Sequence, residues 1–421
     1  MIIIRLAWQS LLNRRLTAIL TILSIALSVV LLLGVEKVRI GARSSFINTI
    51  SGTDLIVGAR AGDVQLLLYS VFRIGNATNN ISIETLDDIK RQKEVEWLVP
   101  ISLGDSHRGF RVMGTTKDYF SRYKYRRNIP LGFGNGIAFE DLFDAVLGSD
   151  VAAALGYAVS DSINVAHGTG DVSFGASHDD KPFRVSGILE PTGTPVDRTV
   201  HISLEAIEAI HVGWQSGTAP RGDDIVSAEL VRKMDLAPKV VTAAYIGLKS
   251  KIGIFSLQRY INNYREEPVT AILPGIAFAQ LWAIIGNAEM ALIVISTMVV
   301  FTAFLGMIIS ILGTLNERRR EMAILRAIGA RPLQIFSLFV AEAAALAICG
   351  VVVGVAALYA LLGLTWAWIE KTTGLYLQFE APGQQEMVYL LIIVFGGILA
   401  GIIPAFRAYR MSVSDGLTVR S

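Results

Sequence analysis

Between two long apolar runs lies the segment Glu317-Arg318-Arg319-Arg320-Glu321-Met322-Ala323-Ile324-Leu325-Arg326-Ala327-Ile328-Gly329-Ala330-Arg331-Pro332. Neither residues 290–315 before it nor residues 343–369 after it contain a charged residue. Basic residues in short connections stay on the cytoplasmic side of a membrane, so the arginines of this segment are expected there. The apolar runs on both sides are then predicted to span the membrane.

The interior of this segment has the spacing of a short amphipathic helix. Met322, Leu325 and Ile328-Gly329 recur at helical spacing, which predicts a helix lying under the membrane. A charged helix between two spans offers a surface to a cytosolic partner that exerts force. Alternatively, the arginines only set the topology and the segment binds no partner. Both interpretations of the segment stay open at this point.

Composition places the chain between soluble proteins and proteins made only of membrane helices. It has 421 residues, of which 52% are hydrophobic and 18% charged, and its mean hydropathy is +0.50. A membrane span needs about 20 apolar residues, and the segments that meet this length are Leu16–Val35, Met290–Leu315, Ile335–Ile369 (interrupted by Glu342) and Met387–Ala405. The soluble part lacks the basic stripe with interleaved aromatic residues that predicts nucleic-acid binding.

The orientation of the spans follows from the basic residues beside them. Glu36-Lys37, rather than a cleavage site, follows the first apolar run, so we interpret this run as a retained span and not as a signal peptide. Residues 1–15 combine arginines with Trp8 and leucines, which indicates an interfacial helix on the cytoplasmic face. Basic residues precede the first span and follow the fourth, so both termini are expected inside and residues 40–280 outside.

These expectations define the fold class as a membrane protein with four transmembrane helices and a large extracytoplasmic α+β domain between the first two. The predicted segments are an elbow helix (1–15), span 1 with the start of a stalk (16–39), the α+β domain (40–275), a stalk with span 2 (276–315), a cytoplasmic helix (316–332), span 3 (333–369), an outer loop (370–386), span 4 (387–406) and a cytoplasmic tail (407–421).

The outer domain is predicted to mix short strands with helices. Ser82 and Ser203 stand where helix N-caps are expected. The strand–helix–strand order Val240–Leu248, Ile254–Tyr264 and Val269–Leu273 is typical of an α+β module.

The sequence gives no positive sign of catalysis. It contains no P-loop, no nucleophile elbow and no zinc-protease helix motif. The glycine-rich stretch Gly132–Gly136 lacks the strand-to-helix context of a phosphate-binding loop, so we expect a flexible loop there. The lone Cys349 lies in span 3, so the outer domain must be held together by its own core rather than by a disulfide.

One constellation in the outer domain suggests a metal site. His167, His178, Asp179 and Asp180 lie in one polar loop, and imidazole and carboxylate groups together can hold a zinc-like ion. The spacing matches no tight metal motif, so an ordinary solvated loop is the alternative interpretation.

Two further features lie within the spans. Glu342 stands alone among the apolar residues of span 3, and an intramembrane carboxylate is a functional candidate, although a structural pairing near the headgroups explains it as well. Small residues that permit close contacts between helices are Gly350, Gly354, Gly363, Gly396, Gly397 and Gly401.

Taken together, these features resemble the MacB/FtsX/LolC-type ABC transporter permeases. The order of one span, a large outer domain, a second span, a cytoplasmic helix and two more spans is typical of that family. The segment Arg320–Ala330 resembles the coupling-helix signature of the family. Val146-Leu147-Gly148 with Phe183–Leu189 resembles its outer-domain core, and Pro404–Ala408 resembles the exit from the fourth span.

The resemblance implies partners and a mechanism. In such permeases an ATPase subunit, which binds ATP and Mg, docks on the coupling helix, and its closure moves the stalks and outer domains. The residues implied to contact the ATPase are Arg318, Arg320, Glu321, Met322, Ala323, Leu325, Arg326, Gly329 and Arg331, with Met322, Ala323 and Leu325 packed into the ATPase cleft. The chain itself carries no ATPase motif, so the ATPase is expected as a separate subunit. A second permease chain, identical or a sibling, and a position among the lipids of the bacterial inner membrane are expected as well.

The resemblance leaves the cargo open. Efflux with a periplasmic adaptor or substrate-binding protein and LolC-like lipoprotein release are both activities of the family. A regulator of an envelope enzyme, like FtsX, would use the same parts with a smaller outer domain. A membrane-embedded enzyme or channel is the remaining class, and only Glu342 supports it.

Overall fold

The computed structural model of the chain describes residues 2–47, 49–126, 128–167, 180–214, 226–315, 319–373 and 381–410. The chain divides into two compact units. The first, which we call the helix unit, comprises Met1–Ala42, Gly286–Ile369 and Leu377–Ser421. The second, which we call the sheet domain, comprises Arg43–Ile285 and Glu370–Tyr376.

The described ranges contain α-helices that differ widely in length. They are α1 Ile2–Asn13, α2 Arg15–Ile47, α3 Asp63–Ser70, α4 Ile83–Lys90, α5 Asp118–Arg122, α6 Ser149–Leu155, α7 Leu204–His211, α8 Ala228–Val231, α9 Ile254–Asn262, α10 Pro274–Leu315, α11 Arg319–Ala327, α12 Pro332–Thr373 and α13 Gln384–Arg410.

Four of these helices are long and apolar enough to cross a membrane. The qualifying parts are Arg15–Gly41 in α2, Pro274–Gly313 in α10, Pro332–Thr365 in α12 and Gln384–Arg410 in α13, and each contains an 18-residue stretch with a mean hydropathy between 2.5 and 2.8. The four predicted apolar helices are therefore confirmed. The division between the two units falls within α2, α10 and α12.

Glycines allow the helices of the helix unit to pack closely. A Cβ built on Gly350 of α12 would lie 2.6 Å from Cγ2 of Ile25 on α2, and one built on Gly397 of α13 would lie 2.6 Å from Cβ of Ala347 on α12. Real Cβ atoms do not approach so closely, so the predicted close contacts are confirmed at these glycines, whereas that of Gly363 stays a prediction. Equally crowded positions are Gly354, Gly396 and Gly401.

The sheet domain is built from strands that are mostly short. In the described ranges they are β1 Leu55–Ala59, β2 Ile81–Ser82, β3 Val95–His107, β4 Phe110–Thr115, β5 Lys124–Tyr125, β6 Ile129–Pro130, β7 Phe133–Gly136, β8 Asp144–Leu147, β9 Ser162–Ile163, β10 Ala166–His167, β11 Phe183–Leu189, β12 Thr199–Ser203, β13 Val240–Val241, β14 Ala243–Leu248 and β15 Val269–Ile272.

One mixed sheet organises this domain. Its strand order is β15-β1-β14-β3-β4-β12-β8-β11-β7, with β10 paired to β3 and β9 paired to β11. β12 runs parallel to β4, and β11 runs parallel to β8, whereas the other pairs in this sheet are antiparallel. Among the described residues of the domain, buried side chains form three apolar clusters, so the fold has the core that a domain without disulfides needs.

Three of the local predictions for this domain can be compared with the structure. The hydroxyl groups of Ser82 and Ser203 accept hydrogen bonds from the first turns of α4 and α7, which confirms both predicted N-caps. The expectation of a flexible loop at Gly132–Gly136 is wrong, because Phe133–Gly136 pairs with β11. Gly136 has φ +72°, and a Cβ there would lie 2.8 Å from Cα of Gly187, so glycine is what lets these two strands approach.

Candidate functional site

The predicted cytoplasmic helix is α11, and its end is built around one glycine. The amide of Ala330 donates to the carbonyl of Leu325 at 2.9 Å, and the amide of Gly329 donates to the carbonyl of Arg326 at 3.0 Å. This pair of bonds is a Schellman motif, and Gly329 has φ +105°, which side chains other than glycine rarely adopt. Gly329, which the resemblance placed among the ATPase contacts, therefore has a structural role in ending α11.

One side of α11 is covered by the helix unit itself. Met322 and Ala323 are only 5% and 6% exposed, and Met322 belongs to the same buried cluster as Ile311 and Phe339. The same chain therefore covers Met322 and Ala323 here, and their packing into an ATPase cleft stays a prediction. The helical spacing correctly predicted an amphipathic helix, but the apolar side that holds Met322 faces the neighbouring helices of the same chain. Leu325 is half-buried.

The opposite side of α11 exposes a pair of isoleucines. Ile324 and Ile328 are 59% and 80% exposed, and the amide of Ile328 donates to the carbonyl of Ile324, so the two lie one helical turn apart. Exposed Glu321 and Arg331 lie before and after them. We call these four residues the exposed face of α11. Sequence reasoning grouped Ile328 with Met322 and Leu325 and did not single out Ile324, although the spacing of four residues between the two isoleucines was a readable signal.

Two arginines of the segment have contacts within the chain. Nη2 of Arg326 donates to the backbone carbonyl of Tyr409 at 2.9 Å, so Arg326 ties α11 to the end of α13. The amide of Arg331 donates to Oε1 of Gln334 at 2.8 Å and caps the start of α12, while the Arg331 side chain stays exposed. Arg318 lies outside the described residues, and of Arg320 only the backbone is described.

A cluster of charged side chains joins three helices. It includes a residue from the N-terminal half of α10, whereas α11 follows the C-terminal end of that helix. Lys37 Nζ lies 3.2 Å from Glu386 Oε2, and Arg39 lies 2.6 Å from Glu36 Oε1 and 3.9 Å from Glu289 Oε2. Glu36 and Glu386 are each only 2% exposed. The cluster connects α2, α10 and α13, so it fixes these helices to one another. Sequence reasoning missed this cluster because each charged residue, taken alone, is typical of the residues that flank a membrane span.

The candidate metal loop is largely outside the described residues. His178 and Asp179 fall in residues 168–179, and of His167 only the backbone is described. The carboxylate of Asp180 pairs with Nζ of the buried Lys181. Among the described residues, no group of three His, Cys, Asp or Glu side chains could hold a metal ion, and the zinc-like site stays a prediction.

Glu342 is the remaining candidate from the sequence. It lies on α12 and is 4% exposed, so it is buried inside the helix unit rather than open to lipid or water.

Comparison with known proteins identifies two parts of the chain. Residues 18–235, just over half of its length, match the family model described as MacB-like periplasmic core domain. Residues 293–415, which include α11, match the model described as FtsX-like permease C-terminal. A comparison with curated protein sequences found no match.

Two solved structures are similar at low levels. The periplasmic region of MacB from Actinobacillus actinomycetemcomitans is 12% identical over 56% of this chain and 95% of that one, with a TM-score of 0.33. The extracellular domain of the ABC-type transporter YknZ from Gram-positive bacteria is 12% identical over 52% of this chain and 99% of that one, with a TM-score of 0.31.

The two family models carry the assignment, because these structural similarities are low. One covers most of the sheet domain and the other begins within the second apolar helix and covers the helices after it, and together they confirm the resemblance stated from the sequence. Proteins of this class are non-catalytic components that work with ABC ATPase partners. The chain therefore belongs to the family of MacB/FtsX-type ABC transporter permeases.

Proposed function

We propose that this chain is the permease subunit of a transporter in which a separate ATPase subunit binds α11 and thereby moves the sheet domain. The movement drives efflux or extraction of a substrate from the cell envelope. The observation that carries the proposal is the exposed face of α11, where Ile324 and Ile328 lie between Glu321 and Arg331. Exposed apolar side chains rimmed by charges are typical of a surface that a protein partner covers.

The attachment of α11 to the helix unit supports a mechanical role. Met322 packs into the core of the unit, and Arg326 binds the carbonyl of Tyr409. A force applied to the exposed side of α11 would therefore act on α10, α12 and α13 rather than bend a loose loop.

The length of the connecting helices supports transmission of that force. α2 has 33 residues and α10 has 42, which correspond to lengths of about 50 and 63 Å at about 1.5 Å per residue. The hydrocarbon core of a bilayer is about 30 Å thick. Each helix is thus long enough to cross it and continue beyond it as a stalk.

The assembly and its location complete the proposal. Two permease chains, identical or siblings, act together in a bacterial inner membrane, with both termini in the cytoplasm and the sheet domain outside. ATP and Mg are bound by the ATPase subunit, since residues 1–421 contain no P-loop. An adaptor or substrate-binding protein outside the cell membrane is expected in an efflux system. A released lipoprotein, or a wall hydrolase, would instead indicate the LolC-like or the FtsX-like alternative.

The proposal is tested by replacing the apolar side chains of the exposed face with charged ones. Ile324→Glu with Ile328→Glu should reduce co-purification of a P-loop ATPase from native membranes by at least roughly tenfold, because two apolar side chains that the ATPase would cover are each replaced by a charge. The matched control is Ile252→Glu in the sheet domain, where the side chain is 94% exposed. Undiminished ATPase recovery from the double variant would refute the proposal.

A further inference from the structure

The sheet domain holds an arginine in its interior without an acidic partner. Arg73 is only 9% exposed. Its Nη1 donates to the hydroxyl of Tyr245 at 3.2 Å, and its Nη2 lies 2.9 Å from the sulfur of Met113. Among the described residues, no carboxylate lies within 4.0 Å of the guanidinium, and Nε has no hydrogen-bond partner. Arginine stays protonated in proteins, so this is a buried positive charge without a counter-charge.

The backbone at Arg73 is also unfavourable for this residue type. Arg73 follows the end of α3 with φ +62°, a left-handed conformation that favours glycine or asparagine. The amide of Ile74 closes the helix end by donating to the carbonyl of Leu68 at 3.0 Å. The left-handed backbone, the burial of the charge and the missing counter-charge each lower the stability of the folded domain. Such positions are typical of binding sites, where a ligand supplies the missing interaction.

Arg73 lines a small pocket that contains a second cation. The space is about 10 Å³ and partly open to solvent, and its lining includes Tyr69, Asn76, Leu103 and Arg111. Nη2 of Arg111 donates to the carbonyl of Gly75 at 3.1 Å, and burial together with the charge of Arg73 lowers the Arg111 pKa. No carboxylate is among the lining residues. The space suits one atom-sized group.

We infer that this pocket binds a small anion of the size of chloride or of one carboxylate oxygen. Arg73 and Arg111 supply the positive charge. The hydroxyl of Tyr69, which is buried without a hydrogen-bond partner among the described residues, is free to donate to the anion. A water molecule would satisfy these hydrogen bonds but would leave the charge of Arg73 uncompensated.

Chloride itself is the probe that tests the inference. The full-length chain in detergent is titrated with chloride at constant ionic strength, with methanesulfonate, which has no carboxylate group, as the bulky replacement, and binding is measured by broadening of the ³⁵Cl NMR line. The wild-type chain should give a saturable excess broadening that Arg73→Met reduces at least fivefold. The control Arg91→Met removes an exposed arginine of α4's C-terminal end, which pairs with Asp88, and should leave the broadening unchanged.

A second variant and a competitor complete the test. If Arg73→Met does not fold, Arg111→Met must show the same loss. Acetate that displaces the chloride identifies a site that also accepts carboxylate groups, and acetate without effect identifies a site for the free halide. Both results retain the anion site. Equal, non-saturable broadening in wild-type and variant chains would overturn the inference and leave the pocket to water.

Discussion

Acidification should destabilise the sheet domain through one buried histidine. His201 lies on β12 with 0% exposure, Nδ1 lies 3.3 Å from the carbonyl oxygen of Val146, and the rings of Tyr119 and Phe120 lie beside the imidazole. Burial, and after it the charge of Arg73, lower the pKa of His201 from 6.5 to about 3. The imidazole therefore stays neutral in the folded domain at pH values well above 3.

The sign of the effect follows from where the proton binds. Below pH 6.5 the unfolded chain binds a proton at His201 and the folded chain does not, so the free energy of unfolding falls as the pH falls. The loss is about 1.36 kcal/mol for each pH unit below 6.5, which gives about 2 kcal/mol at about pH 5, and it levels off below about pH 3. Burial also lowers the pKa of His107, so that residue contributes to the loss in the same direction.

Hydrogen exchange of the full-length chain measures this effect. The opening free energies of β8 and β12 are compared for the wild-type chain and His201→Phe at about pH 7.5 and about pH 5. Phenylalanine does not titrate, so the difference between the two chains should change by about 2 kcal/mol between the two pH values. The contribution of His107 is common to both chains and cancels. A difference that changes by less than about 0.5 kcal/mol would refute the assignment of the pH effect to His201.

Three further substitutions test the helix unit. Gly329→Val forces a branched side chain into φ +105° at a strain of about 1–3 kcal/mol, and ATPase co-purification should fall roughly tenfold; full recovery of the ATPase would contradict the role of the Schellman motif. Gly397→Leu should lower the melting temperature of the purified chain because of the close contact with Ala347, and Ala347→Gly should restore part of it; no change would show that the helices are loosely packed. Lys37→Glu should destabilise the helix unit by about 3 kcal/mol by placing like charges together, and Glu386→Lys in the same chain should recover most of the loss; an unaffected single variant would contradict the ion pair.

Features that depend on sequence neighbours were predicted well. The apolar helices needed only their composition and the arginines beside them. The N-caps at Ser82 and Ser203 needed only a short hydroxyl side chain at the start of a periodic stretch.

Features that depend on residues far apart in the chain were not predictable. β1 lies between β14 and β15, and the register pairs Leu55 with Ile246, which no local pattern specifies. The predicted strand Val240–Leu248 is two strands in the structure, β13 and β14. The division was not predictable either, because β13 pairs with the distant β2 in a separate small sheet. The charged cluster around Glu36 arises only when three helices pack together.

For the candidate site, too, the sequence predicted the helix but not the contacts of its two sides. Periodicity showed that Met322 and Leu325 share a side of α11, but it could not show which side the neighbouring helices cover. The structure covers Met322 and leaves Ile324 and Ile328 exposed. We therefore propose the two isoleucines, rather than Met322, as the apolar contacts of the partner.

Site-specific cross-linking on the two sides of α11 tests the central claim most directly. In a Cys349→Ala background, Ile328→Cys and Met322→Cys are each treated with a short thiol-directed photo-cross-linker in native membranes, and cross-linked proteins are identified by mass spectrometry. The account predicts that Ile328→Cys captures a P-loop ATPase and that Met322→Cys, buried in the helix unit, does not. Capture of the ATPase from Met322→Cys alone, or from neither position, would contradict it.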